Sequence, residues 1–188
     1  MRPTFPACSL VLFALAGCAT TAPADPTITP LLDTIERRLE LADIVALHKW
    51  DLGQPVQASE RERQVIAAVR LAAADHDLAP DRAEDFFVDQ MEASKLVQYT
   101  LLSRWHALGE APALERQDLG QVLRPRLDRL QHQLLDELAR FDQQSWPQCQ
   151  ERLAAALAER SDDMLRQVAL ARATGRLCQA HLAENAPK

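Results

Sequence analysis

The stretch E-R-R-L-E-L-A-D-I-V-A-L-H-K-W, residues 36–50, sets the reading of this chain. It has no two-residue alternation, and its apolar positions recur with the period of a helix. Arg38 and Lys49 lie 11 residues apart. At about 100° per residue they fall within about 20° of one face, three turns apart. Ile35, Leu41, Ala42, Val45 and Ala46 occupy the same side. Two cations on an apolar helix face suggest a pocket for an anion.

The segments around this helix follow the same pattern. Glycine is scarce at 5 residues in 188, alanine and leucine are abundant, and no run alternates with period two. The expectation is an all-α, single-domain helical bundle of about six helices. The first spans about 31–51 and stops near Gly53. The second follows Pro55, with Ser59 and Glu62 spaced as a capping box and Val65, Ile66, Val69 and Ala73 as its apolar side. The third runs from Pro80-Asp81 to about Ala107, buries Phe87, Met91, Leu101 and Trp105, and stops at Gly109. After a connector at 110–116, a fourth covers about 118–142 with Leu123, Leu127, Leu130, Leu134 and Phe141 at helical spacing. Pro125 lies inside that pattern and must kink the helix or mark its true start. Trp146-Pro147 opens a fifth to about Arg160. Ser161 caps a sixth that carries Cys178 near its end.

The N-terminus reads as an export signal: Arg2, then the short apolar run of residues 10–16, too short to span a bilayer. Leu15-Ala16-Gly17-Cys18 resembles a lipobox with Cys18 as the lipidated residue; cleavage near Ala22 or Ala24 is the alternative. The expected division is signal and lipobox at 1–18, a proline-rich tether at 19–30 and a helical domain at 31–184. The mature protein is then periplasmic or otherwise exported, with a lipid anchor if Cys18 is modified. Of four cysteines, Cys8 and Cys18 belong to the leader. Cys149 and Cys178 remain, and an oxidising compartment makes their disulfide the default. Closing that loop is worth on the order of 3 kcal/mol in the chain-entropy model. No metal site is expected, because neither the histidines nor this cysteine pair have ligand spacing. A formal charge of −6 argues against nucleic acid as a partner. It also sets local arginine and lysine clusters apart from the bulk composition.

Three segments carry a resemblance: R-L-E-L-A-D-I-V-A-L-H-K-W (Arg38–Trp50), P-V-Q-A-S-E-R-E-R (Pro55–Arg63) and M-E-A-S-K-L-V-Q-Y (Met91–Tyr99). In order, they resemble the helical core of the chorismate mutases. Leu123-Arg124-Pro125-Arg126-Leu127 is similar to a segment that supplies an extra arginine in the exported subclass, and Cys149 and Cys178 match a disulfide pattern found there. The resemblance implies rearrangement of chorismate to prephenate with no cofactor, metal or nucleophile. The reaction is intramolecular, so the enzyme holds the folded conformer and stabilises the charge that separates as the C–O bond breaks.

By resemblance, Arg38, Arg61 and Arg124 bind the two substrate carboxylates, for which the planar guanidinium fork is suited. Lys49 and Gln98 donate to the ether oxygen, Glu62 accepts from the hydroxyl, and Ser94 supports a carboxylate. Lys49, Gln98 and Arg38 form the catalytic set. Each residue also has a plainer reading: solvated or ion-paired arginines, Glu62 as a helix cap, Lys49 as a C-terminal helix cation, Ser94 and Gln98 as surface polar positions. Arg126 and Arg129 compete with Arg124 for its role. Ala58 departs from the family, many of whose members carry an acid there, and Gln98 stands where members carry Gln or Glu. A homodimer is implied, and in the exported subclass one chain can complete a pocket. The competing expectations are a catalytically silent envelope lipoprotein that binds an anionic metabolite or a protein partner, and a purely structural envelope protein.

Overall fold

A computed structural model describes residues 28–179. The expected signal, Cys18 and most of the tether lie outside the described residues. Six helices run in order: α1 Ile28–Leu52, α2 Ser59–Ala72, α3 Pro80–Leu108, α4 Arg124–Asp142, α5 Cys149–Ala158 and α6 Met164–Ala173. No strand occurs among the described residues, so the all-α expectation is met. α1 starts at Ile28, three residues inside the segment expected to be tether.

The long helices α1 and α3 pack together and α4 closes over α1. Their shared core is aliphatic and aromatic: Leu31, Leu32, Ile35 and Leu39 from α1, Phe86 and Phe87 from α3, Leu134, Leu135, Leu138 and Phe141 from α4, none more than 2% exposed. Burial of each such side chain contributes about 1.5–3 kcal/mol, so this layer dominates the stability of the bundle. α3 ends where Gly109 takes a left-handed φ of 79° and its N–H bonds the Trp105 carbonyl at 2.8 Å. That conformation costs glycine little and other residues more.

Three local expectations change and one is resolved. Ser59 does not cap α2: Ala58 is the N-cap residue and lends no side chain. Only the acidic half of the capping box forms, the Ala58 N–H donating to Glu62 Oε1 at 3.0 Å. Pro125 does not kink α4 but marks its start, the second of the two expected alternatives, one residue after Arg124. A π-helical turn over Leu119–Leu123 precedes α4, with Leu123 N–H reaching the Asp118 carbonyl at 3.1 Å. Proline has no N–H to donate to the residue four back, and the wider turn places it near the start of α4, where none is required. Asp163, not Ser161, caps α6, accepting from Arg166 N–H at 2.9 Å, while Ser161 Oγ accepts from Asp163 N–H at 3.1 Å. Finally, α6 stops at Ala173, so Cys178 lies in the turns beyond it.

Cys149 and Cys178 are joined, with Cα atoms 5.8 Å apart, tying the start of α5 to the segment after α6. That segment is also held to α3 by Asp89, 2% exposed, which accepts from Arg176 N–H at 3.0 Å and ion-pairs with Arg172 and Arg176. The C-terminal third thus braces α3 from the side opposite α2.

Candidate active site

One face on each of four helices converges on a cavity of about 350 Å³. The pattern repeats from helix to helix. On α1 it is Arg38, Leu41, Ala42, Val45 and Lys49; on α3, Met91, Ser94, Lys95 and Gln98; on α4, Arg124, Leu127, Asp128 and Gln131. Arg61, Glu62 and Val65 on α2, with Ala58 just before them, complete the wall. Each set follows i, i+3, i+4, i+7 spacing, which places its members on one helix face. The structure therefore brings together all seven side chains singled out in the sequence. All seven come from one chain.

Depth separates them. Gln98, 5% exposed, lies deepest. Its Nε2 donates to Ser94 Oγ at 3.1 Å, and Oε1 is buried without a hydrogen-bond partner. Arg38 is partly buried and donates from Nη1 to the Gln90 carbonyl at 2.9 Å. Loss of hydration holds its guanidinium pKa down to about 10. Lys49 Nζ donates to the Val56 carbonyl at 2.6 Å, which fixes the loop between α1 and α2. Burial pulls its ammonium pKa below the ordinary 10.5, against the favourable charge of Glu62. Arg61 and Arg124 are exposed at the mouth; Arg61 reaches Asp128 across it at 3.7 Å. Among the described residues, neither Arg38, Lys49 nor Arg124 has a carboxylate within ion-pairing distance. Three cations thus face one apolar-walled cavity without an ion-paired carboxylate among the described residues.

Arg124 lines this cavity, whereas Arg126 and Arg129 line a separate cleft with Arg37 on the other side of Leu41. Glu62 serves as both cap and cavity wall: besides the Ala58 N–H, it accepts from Lys95 Nζ at 3.2 Å and Gln57 Nε2 at 3.1 Å. Sequence reading missed Lys95, Gln57, Asp128 and Gln131. The helical ones were findable, since Lys95 lies three residues before Gln98 and Asp128 four after Arg124. Gln57 lies in a loop, where periodicity gives no signal. No cluster of His, Cys, Asp and Glu suited to a metal occurs among the described residues.

Residues 29–99, which span α1, α2 and most of α3, match the family described as chorismate mutase type II. A secreted chorismate mutase of Mycolicibacterium smegmatis is 35% identical over 142 residues, 74% of this chain and 76% of that protein. The chain belongs to the chorismate mutase family. A secreted chorismate mutase of Mycobacterium tuberculosis is 32% identical over 166 residues, 85% of this chain and 83% of the relative. Among solved structures, the chorismate mutase of Burkholderia phymatum superposes with a TM-score of 0.77 at 41% identity, covering 81% of this chain and 96% of that one. The chorismate mutase of Burkholderia thailandensis gives 0.76 at 34% identity, covering 82% and 100%. The family match ends before α4, yet the two secreted relatives and the two structures cover most of the chain. Arg124 and the C-terminal brace lie beyond the matched family core.

Proposed function

We propose that this chain converts chorismate to prephenate in the cavity between α1, α2, α3 and α4, and that it does so outside the cytoplasm. The observation that carries the reading is the set of seven side chains, three of them cations not ion-paired among the described residues, around about 350 Å³ of largely apolar-walled space. Chorismate has two carboxylates, an enol ether and a hydroxyl. Arg38, Arg61 and Arg124 match the carboxylates, with Ser94 beside them. Lys49 and Gln98 meet the ether oxygen, and Glu62 accepts a hydrogen bond from the hydroxyl.

The reaction follows from these positions. As the ether C–O bond breaks, the enolpyruvyl methylene carbon bonds to the ring, and negative charge grows on the oxygen. Lys49, held by the Val56 carbonyl, and the Gln98 amide are fixed donors that need no reorganisation as that charge develops. Gln98 Nε2 carries two hydrogens: one goes to Ser94 Oγ and the other is left for the ether oxygen, while Ser94 keeps its own O–H for a carboxylate. An acceleration of about 10⁶-fold corresponds to about 8 kcal/mol, and removal of one preorganised donor costs about 10²–10³ in turnover.

Export is supported by the apolar leader and by two relatives named as secreted. Anchoring through a lipid on Cys18 is the finer reading, tested by mass spectrometry of the mature N-terminus. A homodimer is the assembly implied by the resemblance; since one chain supplies all seven groups, the pocket does not require it.

The test is chorismate consumption by purified domain, with prephenate identified as product. Lys49→Ala should remain folded and lose at least about 10²-fold in kcat. Failure of folded, disulfide-intact protein to turn chorismate over rejects the enzyme reading in favour of a silent anion binder.

A further inference from the structure

Lys95 is a cation that the proposed mechanism leaves unused. Its side chain is only 13% exposed, and its ammonium meets Glu92 Oε1 at 2.6 Å and Glu62 Oε2 at 3.2 Å. The Gln57 carbonyl oxygen, Oε1, lies 3.4 Å away, and the Gln57 amide nitrogen in turn donates to Glu62 Oε2. The contact with Glu92 is the ordinary i, i+3 pairing of a helix surface. The other two cross from α3 to α2 and to the loop before it, at the wall of the cavity.

We propose that Lys95, seconded by Gln57, is the positioning residue of Glu62: it clamps one carboxylate oxygen so that Glu62 meets the substrate hydroxyl as a charged acceptor in fixed orientation. This rests on reading the cavity as the chorismate site. A carboxylate offers about four acceptor positions. Three are filled, by Ala58 N–H, Lys95 and Gln57. The clamp therefore determines where the last one points.

The charged groups around Glu62 are Lys95 from α3 with Glu92 behind it, Lys49 from α1, the adjoining Arg61, and Asp128 and Arg124 from α4 across the cavity. Partial burial works against the ionised form of Glu62, but the Ala58 N–H, then Lys95 and Gln57, outweigh it and hold the carboxyl below its usual range. Lys95 is correspondingly held above the ordinary lysine value, Glu92 and Glu62 outweighing its own desolvation. Removing Lys95 leaves burial less opposed, so the Glu62 carboxyl moves upward.

The experiment compares wild type with Lys95→Met, which keeps the length and apolar stem of the side chain without its charge. Wild-type kcat/KM should be level between pH 5 and 8. In Lys95→Met, the value at pH 5 relative to pH 8 should fall about two-fold, the effect of moving upward by about one unit a carboxyl that starts below its ordinary range. Glu62→Gln in the same background should abolish that slope. A uniform loss at every pH, which a purely structural clasp produces, overturns the proposal. A second readout needs no turnover: NMR titration of the Glu62 carboxyl in wild-type protein, assigned by its loss in Glu62→Gln. Titration below the ordinary glutamate value is expected, and titration at or above it overturns the proposal. Folded wild type that fails to consume chorismate refutes the enzyme reading instead, and the titration still decides the clamp.

Discussion

Arg38 shows how a functional residue departs from what stability alone favours. It is desolvated, carries its charge without an ion-paired carboxylate among the described residues, and donates a hydrogen bond to a carbonyl, that of Gln90. Taking an unpaired charge out of water is costly, so Arg38→Met should leave the melting temperature unchanged or higher while kcat/KM falls by about 10²–10³. A matched fall in both quantities would mark Arg38 as structural. Gln98 makes a second prediction. As an amide it donates at every pH, Glu62 stays ionised because its neighbours hold its carboxyl low, and Lys49 loses its proton only on the alkaline side, at a pH below 10.5. Wild-type kcat should therefore be flat from pH 5 to 8 and decline at higher pH. In Gln98→Glu the carboxyl must be protonated to donate. Burial raises its pKa, so activity should be greatest in acid and fall toward pH 8, as a pH–rate profile will show. Arg38 and Lys49 were legible from their spacing on one helix face, whereas Gln98 and Glu62 were singled out by the resemblance of their segments to the family. Lys95 stood at helical spacing from Gln98, but its partnership with Glu62 was not legible, because Glu62 lies 33 residues away on another helix.

At the scale of the element, periodicity located every helix, while the ends were decided by chemistry the pattern does not contain. Gly109 and Pro80 marked the limits of α3 because their backbones allow little else. Ser59 and Ser161 misled, because a hydroxyl marks a cap only if the chain enters the helix at that residue. At α6 the acid two residues on wins: Asp163 accepts from Arg166 N–H, and Ser161 stabilises the turn before it. Asp163→Ala should then cost about 1 kcal/mol, lowering the melting temperature by about 2–4 °C in a domain of this size, and Ser161→Ala should cost less. The reverse ranking in thermal melts would restore Ser161 as the cap. The π-helical turn before Pro125 was beyond sequence reading for a related reason. A proline says that a bond is missing but not how the preceding turn widens to accommodate it.

The whole molecule divides into a catalytic wall and a brace. α1, α2, α3 and α4 line the cavity, whereas α5, α6 and the disulfide line none of it. The brace acts on α3 through Asp89, which holds Arg172 and Arg176, and the Cys149–Cys178 bond closes the segment carrying Arg176 onto α5. Crosslinking residues 29 positions apart restricts the unfolded chain far more than it shapes the folded cavity. The double variant Cys149→Ala/Cys178→Ala should lose about 3–4 kcal/mol in the chain-entropy model, or about 6–16 °C in melting temperature. Below its new transition its kcat and KM for chorismate should match those of the wild type. Calorimetry on both proteins, paired with kinetics at a temperature where both are folded, separates the two roles. A fall in kcat in the folded variant would show that the brace sets the position of Ser94 and Gln98 along α3, and that stability and catalysis share one framework here. Equal kcat with a lowered transition would show that the C-terminal third keeps the domain folded without shaping its site.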